Sequence, residues 1–465
     1  MRSLFIFLAC LVYTGSQLYA QSFKEFSSEE AFLQELQEQI VGNSVGDAKK
    51  ENKELIEKFT EMWTELGSFT AGQKSSFYTT SNKILDARMR PLPDVRNYIE
   101  TVMTMVELGV EAGKFSDWER SVDLVLDSRS ARKDFGDYMD FSLNLFTQNT
   151  LYSTGSLEWK SSNGDFDIKI EDGKPKYTFN NLDLTCDAKG SSSTIYETSG
   201  VLYPIDGDWF GKNGTITWER AGLDPNKVYA IVNDYEIKLK FSNYRADSVT
   251  FYNTDYFDQH LKGMLLEKVQ AVASADRSSF PMFESYSQRL KIENIDRGID
   301  YEGGFTQKGS RFLAIGTDEA PAYLVFYIGD KKFLEVSSLG FSIKEEQITS
   351  ADAAIKFHLH DDTITHPGLD FKYFRDERQV SLYKADEGLQ KAPYFDSYHQ
   401  MDIYAEYVTW KIDEKEILFR TLPNSSDNRA FFESDYYFRE NRFDQMMGMS
   451  MTHPLVQVKG CFTKL

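Results

Sequence analysis

Cysteine, histidine, proline and positive charge are all scarce in this 465-residue chain, and each shortage excludes something. The 3 cysteines are Cys10, Cys186 and Cys461, with no CxxC pair and no zinc-type spacing, so neither a disulfide-stapled mini-domain nor a cysteine-rich metal module fits. Lys and Arg number 52 against 72 Asp and Glu, a net charge of −20. A polyanion lacks the clustered cations that phosphate contacts need, so nucleic acid is excluded as a partner, and an anionic membrane surface is disfavoured for the same reason. Beyond residue 20 no run approaches the about 20 apolar residues of a spanning helix, although membrane β-strands stay open. GxSxG, HExxH, Walker and GxGxxG patterns are missing, so the sequence leads to no catalytic residue, to no cofactor and, on balance, away from an enzyme.

What is present points to a large globular chain. Apolar residues make up 41% and aromatics 14%, led by 35 Phe and 26 Tyr, enough for a sizeable core and two to four domains. Met1-Arg2, the apolar stretch Leu4–Tyr13 and the small Ala20 have the order of a secretory signal peptide cut before Gln21. The expected location is therefore the periplasm, the outer membrane or the cell surface. Cys186 and Cys461 then remain, and they either pair in an oxidising compartment or stay as two buried thiols.

The fold class expected is segregated α+β: an N-terminal helical bundle, then a long antiparallel or solenoid-like β-repeat region. Ser27 and Glu30 have capping-box spacing, followed by Phe32, Leu33, Leu36 and Ile40 at helical intervals. Leu55 to Leu66 repeats that period up to Gly67, and Val95–Val110, Trp118–Leu126 and Phe135–Phe146 extend it to five or six helices. From Gly155 the period falls to two. Phe166, Ile168 and Ile170 alternate with polar residues up to Asp172-Gly173, a strong hairpin signal, and Tyr177 and Phe179 resume beyond it. The boundaries that follow are 1–20 signal peptide, 21–152 helical, 153–280 β-rich, 281–392 a β-repeat unit and 393–465 a second, incomplete one.

The repeat rests on Pro281–Gln288 and Pro393–Gln400, which agree at six of eight positions when Glu and Asp are equated, at an offset of 112 residues. Weaker echoes are Phe432–Tyr436, Thr365-His366-Pro367 against Thr452-His453-Pro454, and Phe257-Asp258-Gln259 against Phe443-Asp444-Gln445. The second unit stops after 73 residues at Leu465, with Leu455–Val458 reading as a strand that has no successor. Either this is the front portion of a longer repeat protein or the last unit is a cap.

Two clusters are candidates for binding. Tyr203, Asp206, Asp208 and Trp209 crowd a Gly/Pro/Asp-rich loop ahead of Trp218, an aromatic-plus-carboxylate grouping that stacks sugars if exposed and plugs a β-core if not. His358, His360 and Asp362 lie close in sequence, but alternation puts His358 and His360 on a wet strand face with Lys356, so they are an outside metal candidate and no metal is expected.

The phrases "IYETSGVLYPIDGDWFGKNGTITWERAG" (195–222), "RADSVTFYN" (245–253) and "HPGLDFKYF" (366–374) resemble large exported envelope proteins of Bacteroidota-type bacteria with β-repeat tracts. Ala246–Val269 is also similar to organic-solvent-tolerance-type lipid-transport repeats. The first resemblance spans about two-thirds of the chain, and neither brings functional residues with it. Export, repeats, acidity and the missing catalytic motifs together lead to a non-enzymatic envelope or surface protein, its β-repeat array acting as a scaffold or binding surface. Its partners would be other envelope proteins, glycans or lipid. The alternatives are a carbohydrate-active protein, as binding module or motif-free hydrolase, and a lipid carrier.

Overall fold

The computed structural model describes residues 24–434, except 66–67, 273, 385–387 and 422–430, together with 436, 438 and 440. The expected signal peptide with Gln21, Leu66-Gly67, Phe443–Gln445, Thr452-His453-Pro454, Leu455–Val458 and Cys461 lie outside the described residues. Six helices come first: α1 (Phe32–Ile40), α2 (Asp47–Thr64), α3 (Ala71–Asp86), α4 (Arg96–Glu107), α5 (Ala112–Leu126) and α6 (Ala131–Gln148). From Thr150 onward come 26 strands among the described residues, joined by antiparallel ladders.

The described residues divide into two compact units. One comprises the residues up to Gly214 with Asp234–Tyr244 and Val269–Ala271; the other holds Thr215–Asn233, Arg245–Lys268 and the residues from Val272. The helices thus share a unit with the first strands instead of standing alone as 21–152. The reason is packing: α6 and the strand Lys174–Ala188 meet through Tyr138 and Tyr177, whose buried hydroxyls lie 2.8 Å apart, and Phe141 packs edge-on against Tyr177. An amphipathic helix buries its stripe against whatever apolar face is available, and here that face is a sheet.

Within the helices the core is aromatic. Phe32, Phe59 and Phe77 each pack on Trp63, Phe69 meets both Phe59 and Phe77, and Tyr98 stacks on Trp118 at 6.0 Å and 6°. Each such fully buried ring contributes about 1.5–3 kcal/mol. The capping box expected at Ser27 is not formed: Ser27 instead gives its N–H and hydroxyl to Glu35, and α1 starts at Phe32. The box occurs at α3, where Thr70 and Gln73 satisfy each other's backbone N–H.

Strand alternation is as read. Asp172 and Gly173 sit at φ 50° and 73°, the left-handed pair a two-residue hairpin needs, and join Phe166–Glu171 to Lys174–Ala188. In the second unit the hairpins Ala322–Ile328/Lys331–Ser338 and Gln347–Leu359/Asp362–Phe374 pair along their length. The two octets each open a short strand paired on both sides: Met282–Ser285 lies between Leu261–Lys268 and Ile299–Lys308, and Tyr394–Asp396 between Asp362–Phe374 and Met401–Tyr404. Their inward residue differs, however. Phe283 is the buried ring in the first and Tyr394 in the second, one position earlier, so the copies share topology while the core-facing letter has slipped.

Candidate functional site

Of the two alternatives for the Tyr203–Trp209 loop and Trp218, sugar platform or core plug, the tryptophans take the second. Trp209 and Trp218 are both 0% exposed. In strand Asp208–Lys212, alternation turns Trp209 inward and leaves Phe210 outside. The Trp209 indole packs on Phe179 and donates to the Tyr235 hydroxyl at 3.4 Å. Gly200 and Gly211 are required there: a Cβ on Gly200 would strike the indole and one on Gly211 would fall inside the Tyr235 ring. Trp218 donates to the Pro281 carbonyl at 2.9 Å and meets Phe251 edge-on. Both indoles are core plugs, which decides against the ring-stacking alternative for Trp209 and Trp218. The neighbouring polar residues make local pairs, with Asp208 Oδ1 left shielded and unpartnered. Asp206 takes Lys174 and Asp208 takes Lys238, each at 2.7 Å, while Tyr203 donates to Glu171 and has its pKa raised by burial and by that carboxylate.

The histidine cluster is likewise dispersed. His358 lies on the strand face among Lys332, Lys356 and Glu335, and burial with the lysine charges lowers its pKa. His360 occupies a left-handed turn position at φ 60°. Asp362 accepts from the Ser397 hydroxyl at 2.9 Å. Among the described residues, no three His, Cys, Asp or Glu side chains are grouped to hold a metal ion. Cys186 is buried on strand Lys174–Ala188 opposite Ser193, while its prospective partner Cys461 lies outside the described residues.

A site that sequence reasoning missed lies wholly within the second unit. It is a cleft of about 880 Å³. Its floor is built by the hairpin Ile299–Lys308/Arg311–Ile315, in which Gln307 pairs with Phe312 and Lys308 with Arg311. Gly309, at φ 56°, makes the turn possible. Gln307 is fully enclosed, accepting from Asn253 at 3.2 Å and donating to the Gly309 carbonyl at 2.8 Å. Tyr256 leans edge-on over Phe312 at 5.0 Å. The far wall is the turn Lys344–Glu346, closed by the Lys344 N–H on the Gln347 carbonyl. The Arg375 N–H docks onto the Glu346 carbonyl at 3.0 Å, fixing the end of Asp362–Phe374 against it.

Two arginines line this cleft. Arg311 gives Nη2 to the Ser279 hydroxyl at 3.2 Å, but its Nε is shielded from solvent without a hydrogen-bond partner. In Arg375 both Nε and Nη2 are shielded and unpartnered. Those two N–H groups form the parallel edge with which a guanidinium grips a carboxylate or phosphate. Desolvating such donors without a partner costs several kcal/mol in general, so a partnerless edge marks a vacant binding function better than it marks a stabilising contact. The Arg375 guanidinium also reaches the Tyr256 hydroxyl and lowers its pKa, by charge and by a hydrogen bond, against the larger upward push of burial, so what is unpartnered is the Nε/Nη2 edge and not the whole group. The acidic lining residues weigh little against this. Asp255 is already held by Lys227 at 2.8 Å, and Glu345 and Glu346 are exposed at the rim. The charged lining is balanced in number, Arg311, Lys344 and Arg375 against Asp255, Glu345 and Glu346, and the feature that stands out is the shielded, unpartnered N–H groups of the two arginines.

No local spacing announces this site, because Asn253, Gln307, Arg311 and Arg375 come from four separate strands and turns. Arg375 directly follows a strand with inward Phe371 and Tyr373, whereas Arg311 opens its own strand and carries no such mark. Neither a family model, a curated protein nor a solved structure matches this chain.

Proposed function

We propose that this is an exported, non-enzymatic protein of the envelope or cell surface, whose β-repeat region is a scaffold presenting a ligand-binding cleft. The observation that carries the reading is the cleft of about 880 Å³ with the unpartnered Nε/Nη2 edge of Arg375 on its wall. That volume falls in the range of small-molecule sites. Its polar groups include two arginines and two amides on an antiparallel frame, with carboxylates at the rim, an arrangement suited to holding a ligand. The leader-like Met1–Ala20 and the likeness to Bacteroidota-type envelope proteins supply the export half.

Two measurements on protein from its own cells test this. N-terminal sequencing of the envelope-fraction product should begin at Gln21; an intact Met1 form in the cytosol removes export. Native mass spectrometry of the gently purified protein should show a small-molecule mass excess that disappears on denaturation. A lipid-sized excess would favour the carrier reading instead.

Glycan binding keeps one supporting observation after the tryptophans are withdrawn. Tyr383 and Tyr407 stack at 4.7 Å and 24°, both half-buried, with the Lys372 ammonium over Tyr383 at 5.2 Å. Tyr407→Ala should weaken binding of a neutral oligosaccharide, and an unchanged isotherm removes this reading.

A further inference from the structure

We infer that the cleft of the second unit takes an organic acid, an uncharged ring or apolar body with one oxyanion head, and that Arg375 grips the head through Nε and Nη2 with Arg311 beside it. The inference rests on the binding reading above and names its ligand class. Three observations carry it.

The first is the geometry of what is unsatisfied. In Arg375 the unpartnered atoms are the adjacent pair that points two N–H bonds in parallel, the match to a carboxylate or phosphate edge. Arg311 adds a third donor, its Nε, on the same cleft. Both edges are shielded in the resting arrangement, so occupation includes turning the Arg375 guanidinium about its terminal torsions into the space it lines.

The second is size and lining. A liquid water takes about 30 Å³, and a bare phosphate only a few times that, so an inorganic ion leaves most of the cleft empty. Phe312, Ile295, Ile343 and the Tyr256 ring line the remaining space, surface that an apolar or ring body covers.

The third is charge. A chain of net charge −20 repels polyanions at long range, and the exposed Glu345 and Glu346 stand at the rim. The two arginines hold one oxyanion head, whereas a second acidic head further along the ligand would face these carboxylates. A single-headed acid is therefore selected over a polyuronate or a nucleotide.

The test follows the isoleucine methyl signals of Ile295 and Ile343 in the full chain while titrating benzoate, phenyl phosphate, inorganic phosphate and benzyl alcohol. Expected are saturable shifts with benzoate and phenyl phosphate, weakened about tenfold or more in Arg375→Gln, the loss of one bidentate charge-assisted pair. Arg375→Lys should restore part of that loss, since it keeps the charge without the fork. Arg311→Gln serves as the second variant should Arg375→Gln fold poorly, and it too should weaken the acids. Shifts of equal affinity with benzyl alcohol, or acid affinities untouched by these substitutions, overturn the anion assignment while the binding reading stands. Inorganic phosphate binding as tightly as phenyl phosphate overturns the organic-body part. If no probe shifts either methyl at millimolar concentration, the inference fails; an apo native mass from envelope protein then separately removes the binding reading.

Discussion

Glu119 on α5 makes the stability of the first unit depend on pH in an uncommon direction. Its carboxyl is mostly enclosed between α3 and α4: the Tyr98 hydroxyl donates to it at 3.4 Å, Ser76 also reaches it, and Asp123 one turn on adds like charge. Lys83 on α3 is engaged with Asp123 and Asp127 at 3.1 and 3.0 Å. Burial pushes the Glu119 pKa from 4.5 up to about 7. Because the folded state holds this proton more tightly than the unfolded chain does, the group costs nothing below pH 4.5, and its cost grows as pH rises to about 7. At about 1.4 kcal/mol per pKa unit, the full cost is about 3 kcal/mol. Glu119→Gln keeps the shape and removes the titration. Urea unfolding followed by far-ultraviolet circular dichroism, which reports the helices, should show the variant near wild type around pH 4.5 and about 2–3 kcal/mol more stable around pH 8. A stability difference that stays flat across that range would refute the assignment of a buried, protonated carboxyl.

His366 in the second unit titrates in the opposite sense. It is 2% exposed, donates Nε2–H to the Ala392 carbonyl at 2.8 Å and accepts the Gly368 N–H at Nδ1, and burial lowers its pKa to about 4. Its stabilising effect is complete above pH 6.5 and is lost as pH falls towards about 4, so wild type should lose up to about 3 kcal/mol there relative to His366→Gln, read by near-ultraviolet circular dichroism. Glu267 is buried against Arg220 and also accepts the Lys268 N–H at 2.8 Å; Glu267→Ala should cost about 3–5 kcal/mol, and the double change to Met at both positions distinctly less, by denaturant unfolding. Gly211→Ala should destabilise the first unit by about 1–3 kcal/mol, because the added methyl meets the Tyr235 ring, while Trp209→Ala should cost about 3–5 kcal/mol in stability with no selective loss of glycan binding.

Much of the architecture was legible because it follows from period. The 3.6-residue spacing around Phe32, Phe59, Ile99 and Val122 and the two-residue alternation around Ile168, Phe326 and Phe371 each mark the residues that are buried in the fold. α3 escaped that reading. AGQKSSFYTTSNKILD carries only Phe77, Ile84 and Leu85 as apolar core residues, and its start is set by the Thr70/Gln73 cap, a side-chain pairing that hydrophobic spacing does not register. The Ser27/Glu30 spacing misled for a related reason: Glu35, one turn into α1, reaches the Ser27 hydroxyl and N–H instead. The tryptophans show the limit of composition. A Gly/Asp-rich loop with two aromatics looks exposed until strand parity decides that Phe210 faces out and Trp209 in. The arginine cleft was illegible altogether, since what defines it is the lack of a partner for Arg375, a property of three-dimensional neighbours and not of spacing.

The central claim is that this protein holds a ligand without transforming it, and one experiment addresses both halves. Phenyl phosphate is incubated with substoichiometric protein for a day while ligand and Ile295/Ile343 methyl signals are recorded in the same tube. The account predicts saturable methyl shifts with the phenyl phosphate signals integrating unchanged throughout. Appearance of phenol and free phosphate above the protein-free control, or ligand signals unchanged beside methyls that never move, would contradict it.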